Sequence, residues 1–297
     1  IPEAHCKVML LAQELLASQF RHSQAEYYIS KKRYIDSDLA FSLGAGYGTD
    51  NVINGLLDSG LTLDDLIFYG FVGISEKINS SQGITHLLKK RGMRDEEIKK
   101  PINILVLKKK FREKLENSWG YPYFALERRI TFPLKLVGKT TNFYGRAIYQ
   151  CNPIFYHRKL YTGNSGVPQG GFNTDTTNSD HEEIIVTESV IDALSMIMLG
   201  LTDSNSVVAI IGVANYLIAE ELIDSGKNIA FALNLDISKS KSGQKATAKL
   251  TEYIRKRSRQ KVRDFTAEFM AKHPEVPDEF KKDYNKFLEY KVRILRI

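Results

Sequence analysis

The hydrophobic pattern divides the chain into a helical first part, a short stretch of strand-like alternation, and a second part in which strands and helices alternate. In the first part, residues 3–20 have a nearly continuous apolar face at helical spacing, which predicts a long amphipathic helix. A second helix is predicted from Ser23, as its N-cap, to the basic cluster at 31–33. Shorter helices are predicted at 37–42 and 51–57. We therefore expect the first part to be mainly helical.

A β-hairpin is predicted next, because apolar residues alternate with polar ones over 130–134. Gly138 and Lys139 supply the turn, and residues 142–148 return as the partner strand. A stretch rich in Gly, Ser, Thr and Asn follows at 163–180 and predicts a long loop. This change in composition places a domain boundary near residue 181.

The second part has the pattern of an α/β domain. Short apolar strands alternate with helices, which is typical of a parallel sheet. Strands are predicted at 183–187, 207–211, 228–233 and 292–297, and helices at 190–199, 215–224 and 244–259. The predicted fold class is therefore α/β, with an α+β N-terminal subdomain over 1–180 and a domain with a central parallel sheet over 181–297.

Length and composition are those of a globular protein with two domains. The chain has 297 residues, of which 43% are hydrophobic, and no apolar run approaches the roughly 20 residues that cross a bilayer. We expect no membrane contact. The chain starts at Ile1 without a signal sequence, so its natural N-terminus is expected upstream. Cys6 and Cys151 are too few for a disulfide framework or a zinc site, so reduced thiols and a cytoplasmic location are expected.

Positive charge is concentrated in the second part of the chain. The formal net charge is +7, and between Lys239 and Arg263 ten Lys or Arg residues stand against one acid, Glu252. A helix over 244–259 would carry Lys245 and its basic neighbours on overlapping faces, as a ridge suited to phosphates. A solvated helix face has the same pattern. Charge alone therefore leaves nucleic-acid contact and simple solvation both open.

Two acids come after predicted parallel strands. Glu188 directly follows the strand at 183–187, and Asp236 follows the strand at 228–233. Ligands and metals gather at the carboxyl ends of the strands in such sheets, so the two carboxylates are candidates for one Mg²⁺ site. Each acid taken singly is also a residue type that caps helices.

Motifs around these acids and around the hairpin form a combination typical of one enzyme family. Residues 186–194 read Val-Thr-Glu-Ser-Val-Ile-Asp-Ala-Leu, in which a glutamate opens a helix and an aspartate follows one turn later. Asn234-Leu235-Asp236 is similar to an Asp-x-Asp motif. Arg-Ile-Thr-Phe-Pro at 129–133 and Phe-Tyr-Gly-Arg at 143–146 are similar to an Arg-x-x-Phe-Pro and Phe-x-Gly-Arg signature. Together these segments resemble the catalytic core of DnaG-type DNA primases, which contain a Toprim domain.

The resemblance covers most of the chain, from about residue 3 to residue 256, and is broken by an insertion near 74–127. The segment that begins at Lys159 brings it closer to the primase-like proteins of plasmids and phages. It implies a primase-core subdomain over 1–180 and a Toprim metal-binding domain over 181–297, shortened at its C-terminal end.

The resemblance implies a role for each matching residue. Glu188 and Asp236, with Asn234, would hold Mg²⁺ or Mn²⁺, and Asp192 would be a further catalytic acid. The residues that would contact nucleic acid or the nucleoside triphosphate are Arg129, Arg146, Lys159, Tyr161 and Lys245. A structural ion pair is the alternative role for Arg129. The implied activity is the synthesis of short RNA primers on single-stranded DNA from ribonucleoside triphosphates, with a replicative helicase as a further candidate partner.

Two departures from the family pattern bear on this activity. Asn234 stands where the family has the first aspartate of Asp-x-Asp, and an amide oxygen supplies no charge, so metal affinity should fall. The third acidic motif would follow a strand at 291–297, and we expect the chain to end before it. The alternatives are therefore a degenerate primase domain that binds single-stranded DNA without synthesis and, ranked last, a Toprim nuclease or topoisomerase fragment.

Overall fold

The computed structural model describes residues 1–76, 120–148, 159–161, 167–212, 215–233 and 242–294. By their contacts, these residues belong to two compact units. The first unit comprises Ile1–Ala25, Gly44–Thr131 and Asn142–Val167, and the second comprises Glu26–Leu43, Phe132–Thr141 and Pro168–Ile297. No helix within the described ranges is both long and apolar enough to cross a membrane.

The N-terminal part is helical, as predicted. Its helices are α1 (Glu3–Ser18), α2 (Gln24–Tyr27, continued by a short π-helix at Tyr28–Lys32), α3 (Ser37–Ser42), α4 (Asp50–Asp58) and α5 (Leu63–Phe68). Helix α1 buries Met9, Ala12 and Leu16, which share one face because they are three and four residues apart. These side chains belong to the same core cluster as Val52 and Leu56 of α4.

The predicted hairpin is present. The strands of this region are β1 (Gly46–Tyr47), β2 (Val72–Glu76), β3 (Gly120–Phe124), β4 (Arg129–Leu136), β5 (Lys139–Ala147) and β6 (Lys159–Tyr161). They form a sheet of order β1-β4-β5-β6 and a separate antiparallel pair, β2-β3. Val137 and Gly138 connect β4 to β5 with φ values of 49° and 71°, as a tight two-residue hairpin turn requires. The turn predicted at Gly138 and Lys139 is therefore one residue too late, because Lys139 begins β5. The β2-β3 pair joins the two ends of the predicted insertion, whose residues 77–119 lie outside the described part.

The second part contains the predicted α/β sheet. Its elements are β7 (Glu183–Thr187), α6 (Val190–Met198), β8 (Val207–Ala209), α7 (Tyr216–Asp224), β9 (Asn228–Ala232), α8 (Ser242–Arg255), β10 (Val262–Asp264), α9 (Phe265–Lys272) and α10 (Tyr284–Ile294). The strands are parallel in the order β10-β9-β7-β8. The central strands β7 and β9 are buried at four consecutive positions each, which explains their continuous apolar sequence. The predicted α/β class and parallel sheet are confirmed.

The fourth strand of this sheet is not where the sequence predicts it. The prediction of a strand at 292–297 is wrong, because residues up to Ile294 belong to α10 and 295–297 lie outside the described residues. Tyr284, Phe287 and Leu288 are buried at helical spacing, and α10 packs against α6. This helical period prevails over the apolar residues near the chain end. The fourth strand is instead β10, which has only three residues.

The two compact units are each built from several chain segments, so they are not separated by a single boundary near residue 181. Residues 26–43, 132–141 and 168–180 pack with the α/β sheet in the second unit. The Phe132 ring meets the Phe172 ring edge-on at a centroid distance of 5.6 Å. Phe172 also forms an antiparallel bridge with Ala209 of the edge strand β8. These contacts join residues far apart in sequence, so local composition does not reveal them.

Candidate metal centre at the carboxyl edge of the parallel sheet

Glu188 directly follows β7 at the carboxyl edge of the parallel sheet. Its neighbours Thr187 and Ser189 are buried, and Glu188 itself is half-buried. Its backbone carbonyl accepts a hydrogen bond from the Gly212 N–H at 3.2 Å. Among the described residues, no hydrogen bond or ion pair engages its carboxylate. The backbone is therefore held in place, while no side chain of the described residues occupies the two carboxylate oxygens.

Asp192 lies in the first turn of α6 and is 3% exposed. The Ser189 Oγ donates to Asp192 Oδ2 at 2.5 Å and accepts a hydrogen bond from the Asp192 N–H at 3.3 Å. These two bonds cap the helix at its N-terminus. The predicted catalytic acid Asp192 is thus placed close to Glu188 in the chain, with its carboxylate engaged in holding the helix start.

The end of β9 lies beside the end of β7. Thr187 pairs with Ala232 in the parallel ladder, so Glu188 and Leu233 each come directly after a paired position. The predicted ligands Asn234 and Asp236 follow Leu233 but lie outside the described residues. The structure therefore brings together the two strand ends that the sequence singled out, and the ligand set at the second end stays a prediction.

The sequence pattern did not identify the acid at the end of the fourth strand. Asp264 ends β10, where it pairs with Phe231 of β9, and its Oδ1 accepts from the Ala267 N–H at 2.9 Å to cap α9. The expectation that the third acidic position lies beyond residue 297 rested on the incorrect strand at 291–297. Within the described residues, the acid at the carboxyl end of the fourth strand is Asp264. The sequence signal for this strand is only three residues long and ends in the helix-capping Asp264 itself, which is too short to distinguish a strand.

The sequence pattern also did not single out Tyr284, whose hydroxyl group is linked through Thr266 to the Leu233 carbonyl at the end of β9. This hydroxyl is 2.8 Å from Thr266 Oγ1, which in turn donates to the Leu233 carbonyl at 2.8 Å. Burial raises the pKa of Tyr284 above its ordinary value, and the charges of Asp192 and Asp264 raise it further. The phenol is therefore protonated throughout the neutral range. A single tyrosine in a polar stretch carries no sequence signal for such a contact.

A divalent cation such as Mg²⁺ takes hard oxygen ligands, chiefly carboxylates, amide carbonyls and water. Glu188 offers a carboxylate of this kind, without a partner within the described ranges. In the part of the chain that the structure describes, no group of three or more His, Cys, Asp or Glu side chains is arranged to hold a metal ion. Among the described residues, Glu188 therefore fits such a cation as one ligand. The remaining protein ligands would have to come from residues outside the described part, such as Asn234 and Asp236.

The predicted nucleic-acid ligand Arg129 is buried at the base of the hairpin, with 4% of its surface exposed. Its Nε donates to the Ala125 carbonyl at 3.1 Å. Its aliphatic chain lies over Gly145, where an added Cβ would be 3.0 Å from Arg129 Cδ. This close packing ties the turn before β4 to β5.

The other predicted ligands of this sheet lie on β5 and β6. Arg146 is half-buried, and Lys159 of β6 is directly opposite it in the ladder. Tyr161 is opposite Tyr144. Directly opposed residues of antiparallel strands share a face of the sheet, so Arg146 and Lys159 occupy one register position on one face. The side chains of β6 lie outside the described part of the structure.

Helix α8 separates an apolar face from a basic one. Leu250 and Ile254 are buried in the core of the second unit, whereas Lys245, Lys249 and Lys256 are exposed. Neither Lys245 nor Lys249 has an acidic partner among the described residues. Exposed lysines of the predicted basic ridge therefore lie at the surface, although the helix ends at Arg255 and not at residue 259. Within the described ranges, no acid offsets the charges of Lys245 and Lys249.

Comparison with known proteins gives the same picture. Residues 185–288 match the family model of Toprim-like domains, while no curated protein matches the chain in sequence. The zinc-binding and RNA polymerase domains of the Aquifex aeolicus primase superpose with a TM-score of 0.63 at 16% identity, covering 99% of this chain and 60% of that one.

Two further solved structures resemble the chain over nearly its whole length. The RNA polymerase domain of Mycobacterium tuberculosis primase DnaG, solved with a double-stranded DNA oligomer with a 6-nucleotide overhang, has a TM-score of 0.58 at 14% identity, covering 99% of this chain and 77% of that one. A DnaG primase catalytic domain bound to single-stranded DNA has a TM-score of 0.58 at 13% identity, covering 98% and 83%. Residues 185–288 are therefore similar to Toprim-like domains, and the chain has the fold of the DnaG primase catalytic cores.

Proposed function

We propose that this chain is the catalytic core of a DNA primase, which synthesises RNA primers on single-stranded DNA from ribonucleoside triphosphates. In each step a 3′-hydroxyl oxygen attacks the α-phosphorus of the next nucleotide, the bond from that phosphorus to the bridging oxygen breaks, and pyrophosphate leaves. A bound Mg²⁺ or Mn²⁺ would supply the neutralisation of phosphate charge. Glu188, Asp236 and Asn234 would hold it, with Asp192 supporting Glu188 from the start of α6.

The observation that carries this proposal is the carboxylate of Glu188 at the carboxyl edge of the central strand β7, which has no hydrogen-bond or ion-pair partner among the described residues. A structural acid at such a position would normally cap the following helix. Ser189 and Asp192 already cap α6, so Glu188 has no capping task left. An acid that is held in place, half-buried and unengaged is available to bind a cation, and the fold is that of catalytic cores that polymerise RNA.

The proposed nucleic-acid contacts are Arg146, Lys159 and Tyr161 on the hairpin sheet and Lys245 on α8. Arg146 and Lys159 share a register position and would place two positive charges against a phosphate backbone. Two of the similar catalytic cores were solved with DNA. Arg129, buried against the Ala125 carbonyl, is better suited to hold the hairpin base than to reach a phosphate. This chain spans 60% of the solved Aquifex aeolicus chain, which comprises the zinc-binding and RNA polymerase domains, so the substrates and partners of a whole primase are part of the proposal.

The basic ridge of α8 gives a test of DNA binding. Changing Lys245 and Lys249 together to Gln is expected to weaken single-stranded DNA binding and to lower the slope of log affinity against log salt by about 1.4, because each phosphate contact contributes about 0.7. Fluorescence anisotropy over a salt series measures the slope. Lys7→Gln is the control, since Lys7 is an exposed lysine paired with Glu3 on α1. An unchanged slope in the double variant would mean that the ridge is only a solvated helix face.

Single-stranded DNA binding without synthesis is the second candidate function, and Asn234 is the observation that favours it. The experiment that separates the two is de novo primer synthesis on single-stranded templates with ribonucleoside triphosphates and Mg²⁺ or Mn²⁺. Metal-dependent RNA products support the primase. DNA binding without products in either metal supports the second function.

The variant Asn234→Asp tests whether the predicted metal ligands form a site. If they do, the added carboxylate is expected to tighten Mg²⁺ binding by about tenfold, because affinity rises with the number of charged ligands. Isothermal titration measures the affinity. Asn205→Asp makes the same change at an exposed position before β8, at the opposite edge of the sheet, and is expected to have no effect. Weaker binding in Asn234→Asp would show repulsion between acids and a site that does not hold metal.

A further inference from the structure

Tyr284 heads a hydrogen-bond relay that ends where the chain leaves β9. Thr266 Oγ1 donates its only proton to the Leu233 carbonyl at 2.8 Å. The Tyr284 hydroxyl lies 2.8 Å from the same oxygen and must therefore be the donor in that bond. All three residues are buried. The relay thus runs in one direction, from Tyr284 through Thr266 to the Leu233 carbonyl.

Asn285, the next residue, heads a second relay that ends in the first turn of α6. Ser195 Oγ donates to the Ile191 carbonyl at 2.7 Å, so it accepts the bond from Asn285 Nδ2 at 3.0 Å. The other amide proton of Asn285 goes to the Arg33 carbonyl at 2.9 Å, and its Oδ1 accepts from Arg33 Nη1 at 3.0 Å. Both amide protons and the amide oxygen of Asn285 are therefore engaged, which fixes the orientation of the side chain.

Each relay ends on a carbonyl that precedes a predicted site residue. Leu233 comes directly before Asn234, and Ile191 comes directly before Asp192. The two carbonyls belong to segments about forty positions apart, yet consecutive side chains in one helical turn hold both of them. Relays of this kind are strong and directional in a buried environment, and the loss of one member leaves its partners unsatisfied.

We propose that Tyr284 and Asn285 are positioning residues that hold Leu233, directly after β9, and the first turn of α6 in a fixed relation, and that they thereby set the cation affinity of the carboxyl edge that carries Glu188. This inference rests on the proposed function, because the metal site is itself a proposal. Neither residue touches the cation. They act through Thr266 and Ser195 on backbone carbonyls. Groups that hydrogen-bond a metal ligand directly change metal affinity by about 10- to 100-fold, so we expect these more remote groups to act at the lower end of that range.

Titration of the whole chain with Mg²⁺ and with Mn²⁺ tests the first relay. Tyr284→Phe keeps the ring, which packs 5.7 Å from the Phe269 ring, and removes only the donor. Thr266→Val removes the middle of the relay. Each change is expected to raise the metal dissociation constant about tenfold, and the double variant should bind no more weakly than Thr266→Val alone, because both changes cut one relay. The control Tyr253→Phe removes a surface hydroxyl bonded to Glu220 and should leave the affinity unchanged.

The second relay is tested in the same way with Asn285→Leu. Because this change leaves the Arg33 carbonyl without its donor, Ser195→Ala is the milder companion that cuts the same relay. Thermal unfolding of each variant gives its stability. A fall in stability with unchanged metal affinity in all four single variants would show that the relays only hold the fold, and the positioning role would be wrong.

Hydrogen exchange without metal separates this inference from the proposed function. Tyr284→Phe is expected to speed exchange of the amides near Leu233, and Asn285→Leu those in the first turn of α6, with α7 unchanged in both. Faster exchange confined to α10 would overturn the inference. If Glu188→Gln abolishes metal binding but the relay variants leave it unchanged, the proposed function stands and the positioning role falls. If neither the wild type nor any variant binds metal while exchange responds as expected, the metal site fails and the coupling of the two segments remains.

Discussion

Replacing Glu188 with Gln is expected to lower the rate of primer synthesis by at least about 100-fold while single-stranded DNA affinity stays nearly unchanged. The change removes one negative charge with little change in shape. The Glu188 carboxylate has no partner among the described residues, so its loss breaks no structural bond there. Primer extension assays and anisotropy titrations on the same preparations measure the two quantities.

Glu182→Gln is the matched control for this prediction. Glu182 is exposed and precedes β7, so the same chemical change is made at the amino edge of the same strand. We expect it to synthesise primers at the wild-type rate. Equal losses of synthesis and DNA binding in Glu188→Gln would assign that residue a structural role and remove the main support for the metal site.

Gly170→Ala is expected to lower the free energy of unfolding by about 3 kcal/mol, because the new methyl group has no room. A Cβ at this position would lie 2.2 Å from the Lys135 carbonyl oxygen and 2.4 Å from its carbon, both of which are backbone atoms. The adjacent Gly171 exchanges two hydrogen bonds with Lys135, of 2.7 and 2.8 Å. Relieving the clash therefore requires β4 and this segment to separate. Urea unfolding measures the loss.

Gly200→Ala separates this steric effect from the general effect of replacing a glycine. Gly200 has a φ of 68° and open space around its Cα, so an alanine there suffers only from its left-handed backbone conformation. A loss of about 1 kcal/mol is expected. Similar losses in the two variants would mean that the close approach of Gly170 to β4 is not a constraint on stability.

The bounds of helices and strands that have a strong local sequence pattern could be predicted almost to the exact residue. The strand Glu183–Thr187 and the helix Ser37–Ser42 have the predicted bounds, because burial on both faces and helical capping both leave local signals. The strand Val262–Asp264 was missed and a false strand was placed at the chain end. Three residues that pair along one side only carry too little periodicity to compete with a longer apolar run.

The features of the candidate site also fall into those that the sequence predicts and those that only the structure shows. The sequence by itself determined that Glu188 follows a buried parallel strand and comes just before a helix, since both features depend on neighbours in the chain. Only the tertiary structure decided that Arg129 is buried, that Asp264 ends the fourth strand, and that one turn of α10 reaches two segments at once.

The physical reason is the distance along the chain over which these contacts act. Periodicity and capping involve residues within about four positions of each other, so they are written in local sequence. The bond from Asn285 to Ser195 spans 90 positions, and that between Tyr284 and Thr266 spans 18. Such bonds exist only once packing has brought buried polar groups together, and nothing in the local pattern around Tyr284 marks it as their donor.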